Sequence, residues 1–170
     1  GDLVALIDPL EINDIRPFWE TLASPGHTTI VHAGREELRF SLFAIDQAPH
    51  ALYDVQIAAG LMGLEYPASY GTLVHKLLGK SLAKGETRTD WRRRPLSKRQ
   101  LEYAIQDVAD LQQVAAAIQE RTANLGRTSW VDTEIMAWQK KIERDTGPDA
   151  WRNVSGSGSL KRQQLAIVRE

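Results

Sequence analysis

The sequence predicts an α/β fold in which a mixed sheet is flanked by helices. Three short apolar segments have the length of strands, and segments with helical spacing of apolar residues follow them. Strands that alternate with helices favour a sheet that is at least partly parallel. The 170 residues are enough for one domain and at most part of a second.

The composition is that of a globular protein and excludes several kinds of chemistry. Hydrophobic residues make up 42% of the chain and charged residues 25%, and no apolar run approaches a membrane span. The absence of cysteine excludes disulfides, thiol catalysis and cysteine-ligated zinc. No signal peptide is recognisable, so we expect a cytoplasmic protein. A net charge of -1 disfavours wrapping of long duplex DNA but permits a local patch that binds a few phosphates.

The predicted elements follow one another in the order strand, helix, strand, helix, strand and four helices. The first strand is the apolar run L-V-A-L-I, and the second, T-T-I-V-H, is rich in β-branched residues. The predicted strands are residues 3–7, 28–32 and 52–54, and the predicted helices are residues 12–23, 35–45, 55–61, 70–78, 97–124 and 132–144.

Turn residues and capping residues set these boundaries. Asp8-Pro9 closes the first strand, which begins so early in the chain that its ladder partner must come from elsewhere. Glu36 and Glu37 stand in the first turn of their helix, where acids complement the helix dipole. Asp54 and Ser69 are predicted N-caps, and the predicted helix ends are marked by Ser24-Pro25-Gly26, Gly63, Gly79 and Gly126.

Residues 84–107 combine a basic loop, a helix start and a tyrosine–aspartate pair. Seven cations and two acids lie between Lys84 and Arg99, so the positive charge is local. Ser97 and, three residues later, Gln100 form the pattern of a capping box. Apolar residues then recur at spacings of three and four, which predicts one buried helical face formed by Leu101, Ala104, Val108, Leu111, Ala115 and Ile118.

Tyr103 and Asp107 are four residues apart and therefore lie on the same side of this helix, along the edge of its apolar face. Taken alone, such a tyrosine is usually a packing residue and such an aspartate a solvated charge. Their combination with the basic loop favours a functional site. His32, at the end of the second strand, is open to both interpretations, and without further context we favour a core histidine.

Five sequence blocks resemble ribonuclease D, which belongs to the DEDDy 3′–5′ exonucleases. The most diagnostic is R-T-D-W-R-R-R-P-L-S-K-R-Q-L-E-Y-A-I-Q-D-V at 88–108. The others are A-L-I-D-P-L at 5–10, V-H-A-G-R-E-E-L at 31–38, D-V-Q-I-A-A at 54–59 and A-W-R-N-V-S-G-S-G-S-L at 150–160. The blocks keep the order of the family and extend over nearly the whole chain.

The resemblance implies a ribonuclease H-like fold and a two-metal hydrolysis of the terminal RNA phosphodiester. Four carboxylates would hold two Mg²⁺ or Mn²⁺ ions, which are hard cations that prefer oxygen ligands. By this resemblance Asp107 is a metal ligand and the hydroxyl of Tyr103 helps to position the attacking water. Alignment on H-A-G-x-E-x-L makes Glu37 a second metal ligand, so the implied catalytic residues are Tyr103, Asp107 and Glu37. The implied substrates are single-stranded RNA 3′ ends, such as those of tRNA precursors.

Two departures from the family pattern concern the metal ligands. The first motif of the family, an Asp-x-Glu that supplies two of the four carboxylates, is expected some way upstream of Ala5, and this chain starts too late to contain it. Position 37 carries Glu where the family has Asp, and a displacement of about 1 Å can cost about 10²-fold in rate. We therefore expect an excerpt of a longer chain and a poor or inactive nuclease when this polypeptide is tested alone.

Basic side chains beside a nuclease site bind phosphates, which makes Lys84, Arg88 and Arg92 candidate RNA contacts, together with His32. Arg88 or Arg92 could instead pair with an acid of the same loop and shape it. We interpret Trp91 as a packing anchor and not as a platform for base stacking.

The resemblance also implies domain boundaries. Residues 1–125 would be a partial exonuclease domain that lacks its first strands. Residues 126–158 would be a helical linker region, turn-rich from Asn153 onward, and residues 159–170 the start of a truncated HRDC-like helical domain. A catalytically impaired nucleic-acid-binding module is the alternative, since it would show the same missing carboxylates and the same Asp-to-Glu change.

Overall fold

The computed structural model describes residues 3–82, 89–147 and 150. Within these ranges the chain forms two strands and seven helices, and none of the helices has both the length and the apolar character that a bilayer crossing requires. The elements are α1 (Arg16–Ala23), β1 (Thr29–Val31), α2 (Arg35–Ile45), β2 (Leu52–Asp54), α3 (Val55–Leu61), α4 (Tyr70–Leu78), α5 (Lys98–Ala109), α6 (Leu111–Asn124) and α7 (Thr128–Thr146).

The sheet consists of β1 and β2, which pair in parallel. Thr29 lies opposite Leu52 and Val31 opposite Asp54, and α2 provides the crossover between the two strands. This arrangement confirms the α/β class and the parallel pairing. The antiparallel strand that a mixed sheet requires is not found in the described part of the chain.

The strand predicted at residues 3–7 does not form. Leu3 is 90% exposed, and Val4, Leu6 and Ile7 are each 46% exposed. The apolar pattern predicts burial, but a strand also needs a neighbour to accept its hydrogen bonds, and within the described residues β1 pairs only with β2. The segment is held at its end instead, because the guanidinium of Arg94 donates two hydrogen bonds to the carboxylate of Asp8.

The first helix begins at Arg16 and not at residue 12. Asp14 accepts a hydrogen bond from the backbone N–H of Arg16 at 3.0 Å and a further bond from its guanidinium at 2.8 Å. These bonds fix a turn immediately before the helix, and Pro17 in the first turn lacks the N–H that an earlier helical turn would use.

The long helix predicted over residues 97–124 is divided at Asp110 into α5 and α6. Aspartate is a weak helix former that favours helix starts, and its carboxylate is held 2.5 Å from the ammonium of Lys80. The two helices pack differently. Ala115 and Ile118 of α6 are buried, as predicted, whereas Leu101 and Val108 of α5, also predicted to be buried, are 36% and 47% exposed.

The hydrophobic core lies where α3, α4, α6 and α7 meet behind β2. Helix α7 is longer than predicted, since it begins at Thr128, two residues after Gly126, whose φ of 65° ends α6. The largest fully buried apolar side chains in and around this core are Leu38, Val55, Leu73, Val74, Val114, Ile118 and Val131.

Asp54 connects the sheet to the start of two helices. Its side chain is 1% exposed, and its Oδ1 accepts hydrogen bonds from the backbone N–H of Gln56 at 2.8 Å and of Ile57 at 3.5 Å. This confirms the predicted N-cap. The same carboxylate also accepts from Ala33 N at 3.2 Å and from Gly34 N at 2.9 Å. Asp54 therefore fixes the turn from which α2 begins.

The turn at residues 33–34 requires the residues that form it to be small. Ala33 has a φ of 55°, in the left-handed region. A Cβ at Gly34 would lie 2.4 Å from Cγ2 of Val31, which is too close for any side chain. Because the turn is this tight, only residues 32–34 separate the end of β1 from the first turn of α2.

Asp54→Ala is expected to lower the free energy of unfolding by about 3–5 kcal/mol, since it leaves buried N–H groups without an acceptor. Asp54→Asn keeps an oxygen for Ala33, Gln56 and Ile57 but places an amide against the N–H of Gly34, so a smaller loss of about 1–3 kcal/mol is expected. Urea unfolding followed by circular dichroism measures both.

Glu134→Ala, which removes an exposed acid from α7, serves as the control and should change the free energy of unfolding by less than about 0.5 kcal/mol. A loss for Asp54→Ala that is no larger than that of the control would contradict the role given to Asp54.

Candidate active site

A cavity of about 600 Å³ lies between β1, α1, α2 and α5. One part of its wall is polar and carries His32, Glu37, Tyr70, Tyr103 and Asp107. The other part is apolar and includes Phe18, Trp19, Leu22, Ile30, Val31, Pro49, Leu52, Val108 and Leu111. The cavity thus brings together all three residues that the sequence predicted to be catalytic.

The capping box at the start of α5 orients Tyr103 and Asp107. Ser97 Oγ accepts from the N–H of Gln100 at 3.2 Å, and Gln100 Oε1 accepts from the N–H of Ser97 at 2.9 Å, which confirms the predicted box. The amide nitrogen of Gln100 also donates to the carbonyl of Asp90 at 3.2 Å. The end of the basic loop and the start of α5 are therefore one hydrogen-bonded unit.

Trp91 packs against Tyr103, with ring centroids 6.0 Å apart and the ring planes inclined by 49°. The indole is half-buried and also lines a neighbouring groove that includes Leu101 and Arg94. Trp91 therefore supports one side of Tyr103, while the cavity lies on another side of the phenol.

The two acids in the first turn of α2 have different surroundings. Glu36 points to solvent and forms an ion pair with Arg39 at 3.3 Å. Glu37 lines the cavity, from which its carboxylate can reach a ligand. Both acids lie in the first turn of α2, where the helix dipole favours either of them equally. Only Glu37 lines the cavity, which makes it the candidate site residue.

His32 lies at the end of β1 with a fixed ring orientation. Its Nε2 lies 2.9 Å from the carbonyl of Ala68, and since a carbonyl only accepts, Nε2 carries the proton of that bond. The ring packs against Tyr70 with centroids 5.7 Å apart. His32 is half-buried in the cavity wall, so it belongs to the rim of the core and faces the candidate site as well.

Asp107 is the electrostatically perturbed acid of the cavity. Partial burial raises the pKa of its carboxyl above the usual value, and the electrostatic interaction with His32 acts in the opposite direction. A raised pKa means that the charged form loses hydration that the protein does not fully replace. Such an acid gains from a cation beside it, which is typical of carboxylates at functional sites.

The carboxylates of the cavity suit a divalent metal in kind but are few in number. Glu37 and Asp107 offer the oxygen ligands that Mg²⁺ and Mn²⁺ prefer. Within residues 3–82, 89–147 and 150, no group of three or more His, Cys, Asp or Glu side chains is placed to hold a metal ion. Glu37 and Asp107 are therefore two candidate ligands among the described residues.

Of the predicted RNA contacts, Lys84 and Arg88 lie outside the described residues. The side chain of Arg92 is 93% exposed, and its Nε is 3.7 Å from the carboxylate of Asp90, as the alternative interpretation of that arginine required. A contact this long and this exposed leaves the guanidinium free to bind a phosphate.

Tyr70 was not identified from the sequence. It follows the capping residue Ser69, whose hydroxyl accepts from the N–H of Thr72 at 3.1 Å, so its position suggests only the first turn of a helix. Its place in the cavity depends on contacts with His32, which is far away in sequence. No local pattern could have revealed it.

Comparison with known proteins gives a consistent result. A family of 3′–5′ exonuclease domains matches residues 2–123. Ribonuclease D of Pseudomonas paraeruginosa is 37% identical over 166 residues, which are 97% of this chain and 44% of that protein. Ribonuclease D of Escherichia coli is 35% identical over 99% of this chain and 45% of its own length. The chain therefore spans less than half the length of these relatives.

Solved structures agree with the sequence matches. One match is the crystal structure of Escherichia coli RNase D, described as an exoribonuclease involved in structured RNA processing, with a TM-score of 0.85 at 35% identity. The match covers 99% of this chain and 45% of the chain in that structure. NrnC of Brucella melitensis bound to pGG covers 85% of this chain and 67% of its own, with a TM-score of 0.68 at 25% identity. NrnC with bound Mg²⁺ has a TM-score of 0.67 at 24% identity and shows the shared fold.

Asp107→Asn is expected to raise the free energy of unfolding of the metal-free chain at pH 7. Because the folded pKa of Asp107 is raised, its charged form costs stability above that pKa, and the cost disappears as the pH falls and the carboxyl takes up its proton. The gain from Asp107→Asn should therefore shrink between pH 7 and pH 4. Urea unfolding at each pH measures it.

Glu134→Gln, which neutralises an exposed acid on α7, should show no such dependence. A loss of stability for Asp107→Asn at pH 7 would contradict the electrostatic description of this residue.

Proposed function

Since the chain belongs to the 3′–5′ exonuclease family, we propose that it is the nuclease portion of a ribonuclease D-like exoribonuclease, which removes nucleotides from RNA 3′ ends by hydrolysis. The observation that carries this proposal is the single cavity in which α2 places Glu37 and α5 places Tyr103 and Asp107. Glu37 lies 66 positions before Tyr103 in the sequence and 70 positions before Asp107, and only the fold brings the three residues together.

Each of the three residues has a distinct task in this reaction. The carboxylates of Glu37 and Asp107 would bind divalent cations, Mg²⁺ or Mn²⁺, which supply stabilisation of the charge that develops on the attacking and leaving oxygens. The hydroxyl of Tyr103 would donate or accept a hydrogen bond to hold the attacking water. Trp91 on one side and the α5 backbone on the other limit the positions that this hydroxyl can take.

The number of carboxylates limits what the described residues can do by themselves. Two metal ions repel each other, and the family offsets this repulsion with four carboxylates. We propose that Glu37 and Asp107 are half of such a set and that the longer side chain of Glu37 further displaces its oxygens from the position of an Asp. Either effect weakens metal binding and lowers the rate.

RNA is the substrate class that we propose, with tRNA precursors as the expected kind. Arg92 is the described cation that would contact a phosphate, and Lys84, Arg88 and His32 remain candidates for the same role. Two similar proteins support a nucleic-acid ligand, since Escherichia coli RNase D is described as an exoribonuclease involved in structured RNA processing and Brucella melitensis NrnC was solved bound to pGG. Cytoplasmic location is part of this proposal.

The domain boundaries stay predictions. Residues 1–125 would form the exonuclease part, residues 126–158 a helical linker region, and residues 159–170 the start of an HRDC-like domain. The end of α7 at Thr146 is consistent with helical structure in the linker region.

A binding module without catalysis is the second candidate, and one observation favours it. No metal-binding group of three or more ligands exists among the residues that the structure describes. The coding sequence upstream of Gly1 separates the two candidates. An in-frame Asp-x-Glu on an apolar strand supports the enzyme, whereas a native start codon at this point supports the binding module.

With Mg²⁺ and a 5′-labelled single-stranded RNA, this chain alone is expected to be at least about 10²-fold slower than full-length Escherichia coli ribonuclease D, because a displaced or incomplete ligand set costs at least that much. Any remaining shortening of the RNA from its 3′ end should be lost in Asp107→Asn and Glu37→Gln. Denaturing gel electrophoresis of a time course measures the rates.

Glu134→Gln is the matched control, since it removes an exposed negative charge on α7 that does not line the cavity and should leave the rate unchanged. A rate close to that of the full-length enzyme, abolished by Asp107→Asn, would confirm the exonuclease and contradict the half-site account. RNA shortening that survives Asp107→Asn would contradict the assignment of the site.

A further inference from the structure

Tyr70 has a hydroxyl that is buried and makes no hydrogen bond of ordinary geometry to any described residue. The side chain is the first of α4, is half-buried at the edge of the core, and lines the same cavity as Asp107. Buried polar groups without a partner are uncommon, because the loss of hydration is not compensated. Such a group in the wall of a functional cavity suggests a partner that forms when the site is in use.

The surroundings of Tyr70 make its hydroxyl a donor. Burial raises the pKa of the phenol above its usual value, and the negative charges of Asp110 and Asp107 raise it further, while the backbone N–H of Asp110 acts against them. A phenol keeps its proton at neutral pH in any case, so the hydroxyl can donate. Asp107 lines the same cavity and Asp110 follows at the end of the same helix, so these two carboxylates are the candidate acceptors.

Asp107 is the carboxylate that remains available. Asp110 is already bound, since its Oδ1 lies 2.5 Å from the ammonium of Lys80. The carboxylate of Asp107 makes no hydrogen bond or ion pair with any residue in the described ranges, and it is exposed in the cavity, so the side chain can turn. The ring of His32 packs against the ring of Tyr70 and restricts the movement of the phenol.

We propose that Tyr70 is a positioning residue for Asp107, whose carboxylate accepts a hydrogen bond from the Tyr70 hydroxyl when a divalent cation is bound. One oxygen of Asp107 would then be held towards α4, and the other would be left for the cation. Carboxylate ligands are commonly oriented by such a second hydrogen bond. This inference rests on the proposed function, because it requires Asp107 to bind the cation.

The test compares Mn²⁺ affinity with stability in the full 170-residue chain. Mn²⁺ is titrated into the wild type, Tyr70→Phe and Asp107→Asn, and free Mn²⁺ is followed by its electron paramagnetic resonance signal. Tyr70→Phe is expected to weaken Mn²⁺ binding about tenfold. The same substitution should leave the urea midpoint of the metal-free chain unchanged or raise it, because it removes a buried hydroxyl that makes no hydrogen bond of ordinary geometry to the described residues there.

Tyr53→Phe is the matched control. The hydroxyl of Tyr53 is likewise buried without a partner, but Tyr53 lies in β2 and does not line the cavity. Tyr53→Phe should therefore resemble Tyr70→Phe in stability and the wild type in Mn²⁺ affinity. The pairing of the two variants separates the removal of a buried hydroxyl from the loss of a bond to Asp107.

Three results would overturn the inference. If Asp107→Asn weakens Mn²⁺ binding and Tyr70→Phe leaves it within twofold, Tyr70 does not position Asp107, and the proposed metal site stands. If Tyr53→Phe weakens binding as much as Tyr70→Phe, the effect is not specific to the cavity. If the wild type binds no Mn²⁺ that Asp107→Asn removes, the metal site of the proposed function fails, and the role of Tyr70 fails with it.

Discussion

The carboxylate of Asp54 is the interaction on which the arrangement of the site depends. It accepts four backbone hydrogen bonds, two from the start of α3 and two from the turn at residues 33–34. A charge that is 1% exposed is tolerated only because these N–H groups replace its hydration. The bonds fix the end of β1 beside the end of β2, and the tight turn at Gly34 then sets the first turn of α2. These contacts determine where α2 begins, and Glu37 in its first turn therefore lines the cavity.

The second wall of the cavity is organised independently. A capping box at Ser97 and Gln100, tied to the loop at Asp90, fixes where α5 begins, and Trp91 supports Tyr103. The residues that face the cavity are less favourable for stability than those of the core. Asp107 has a raised pKa, and its carboxylate and the Tyr70 hydroxyl have no hydrogen-bond partner of ordinary geometry among the described residues. The apolar side chains of α5 stay partly exposed. Stability is concentrated around α3, α6 and α7, and the cavity wall carries the groups that a ligand would satisfy.

The sequence predicted elements well where the signal is local. The caps at Asp54, Ser69 and Ser97 follow from side chains that bond to the first turn of their own helix. The ends at Gly63 and Gly79 follow from glycines with a positive φ, and the bounds of α2 were predicted although no side chain caps its start. It failed where the outcome depends on partners distant in sequence. The run at residues 3–7 has a strand pattern without a strand beside it, and the division at Asp110 involves Lys80. Likewise Glu37, Tyr103 and Asp107 could be selected by resemblance, whereas Tyr70 could not, since only the fold brings it to the cavity. The catalytic roles of the selected residues stay predictions.

The central proposal is that Glu37 of α2 and Asp107 of α5 together bind a divalent cation in the cavity. A crystal structure of this chain soaked in Mn²⁺, with anomalous scattering recorded at the manganese edge, tests it most directly. We expect an anomalous peak in the cavity, with carboxylate oxygens of both residues within about 2.0–2.6 Å, the range of hard-cation ligands. A peak bound by only one of the two, with the other turned away, or manganese found only outside the cavity, would contradict the claim.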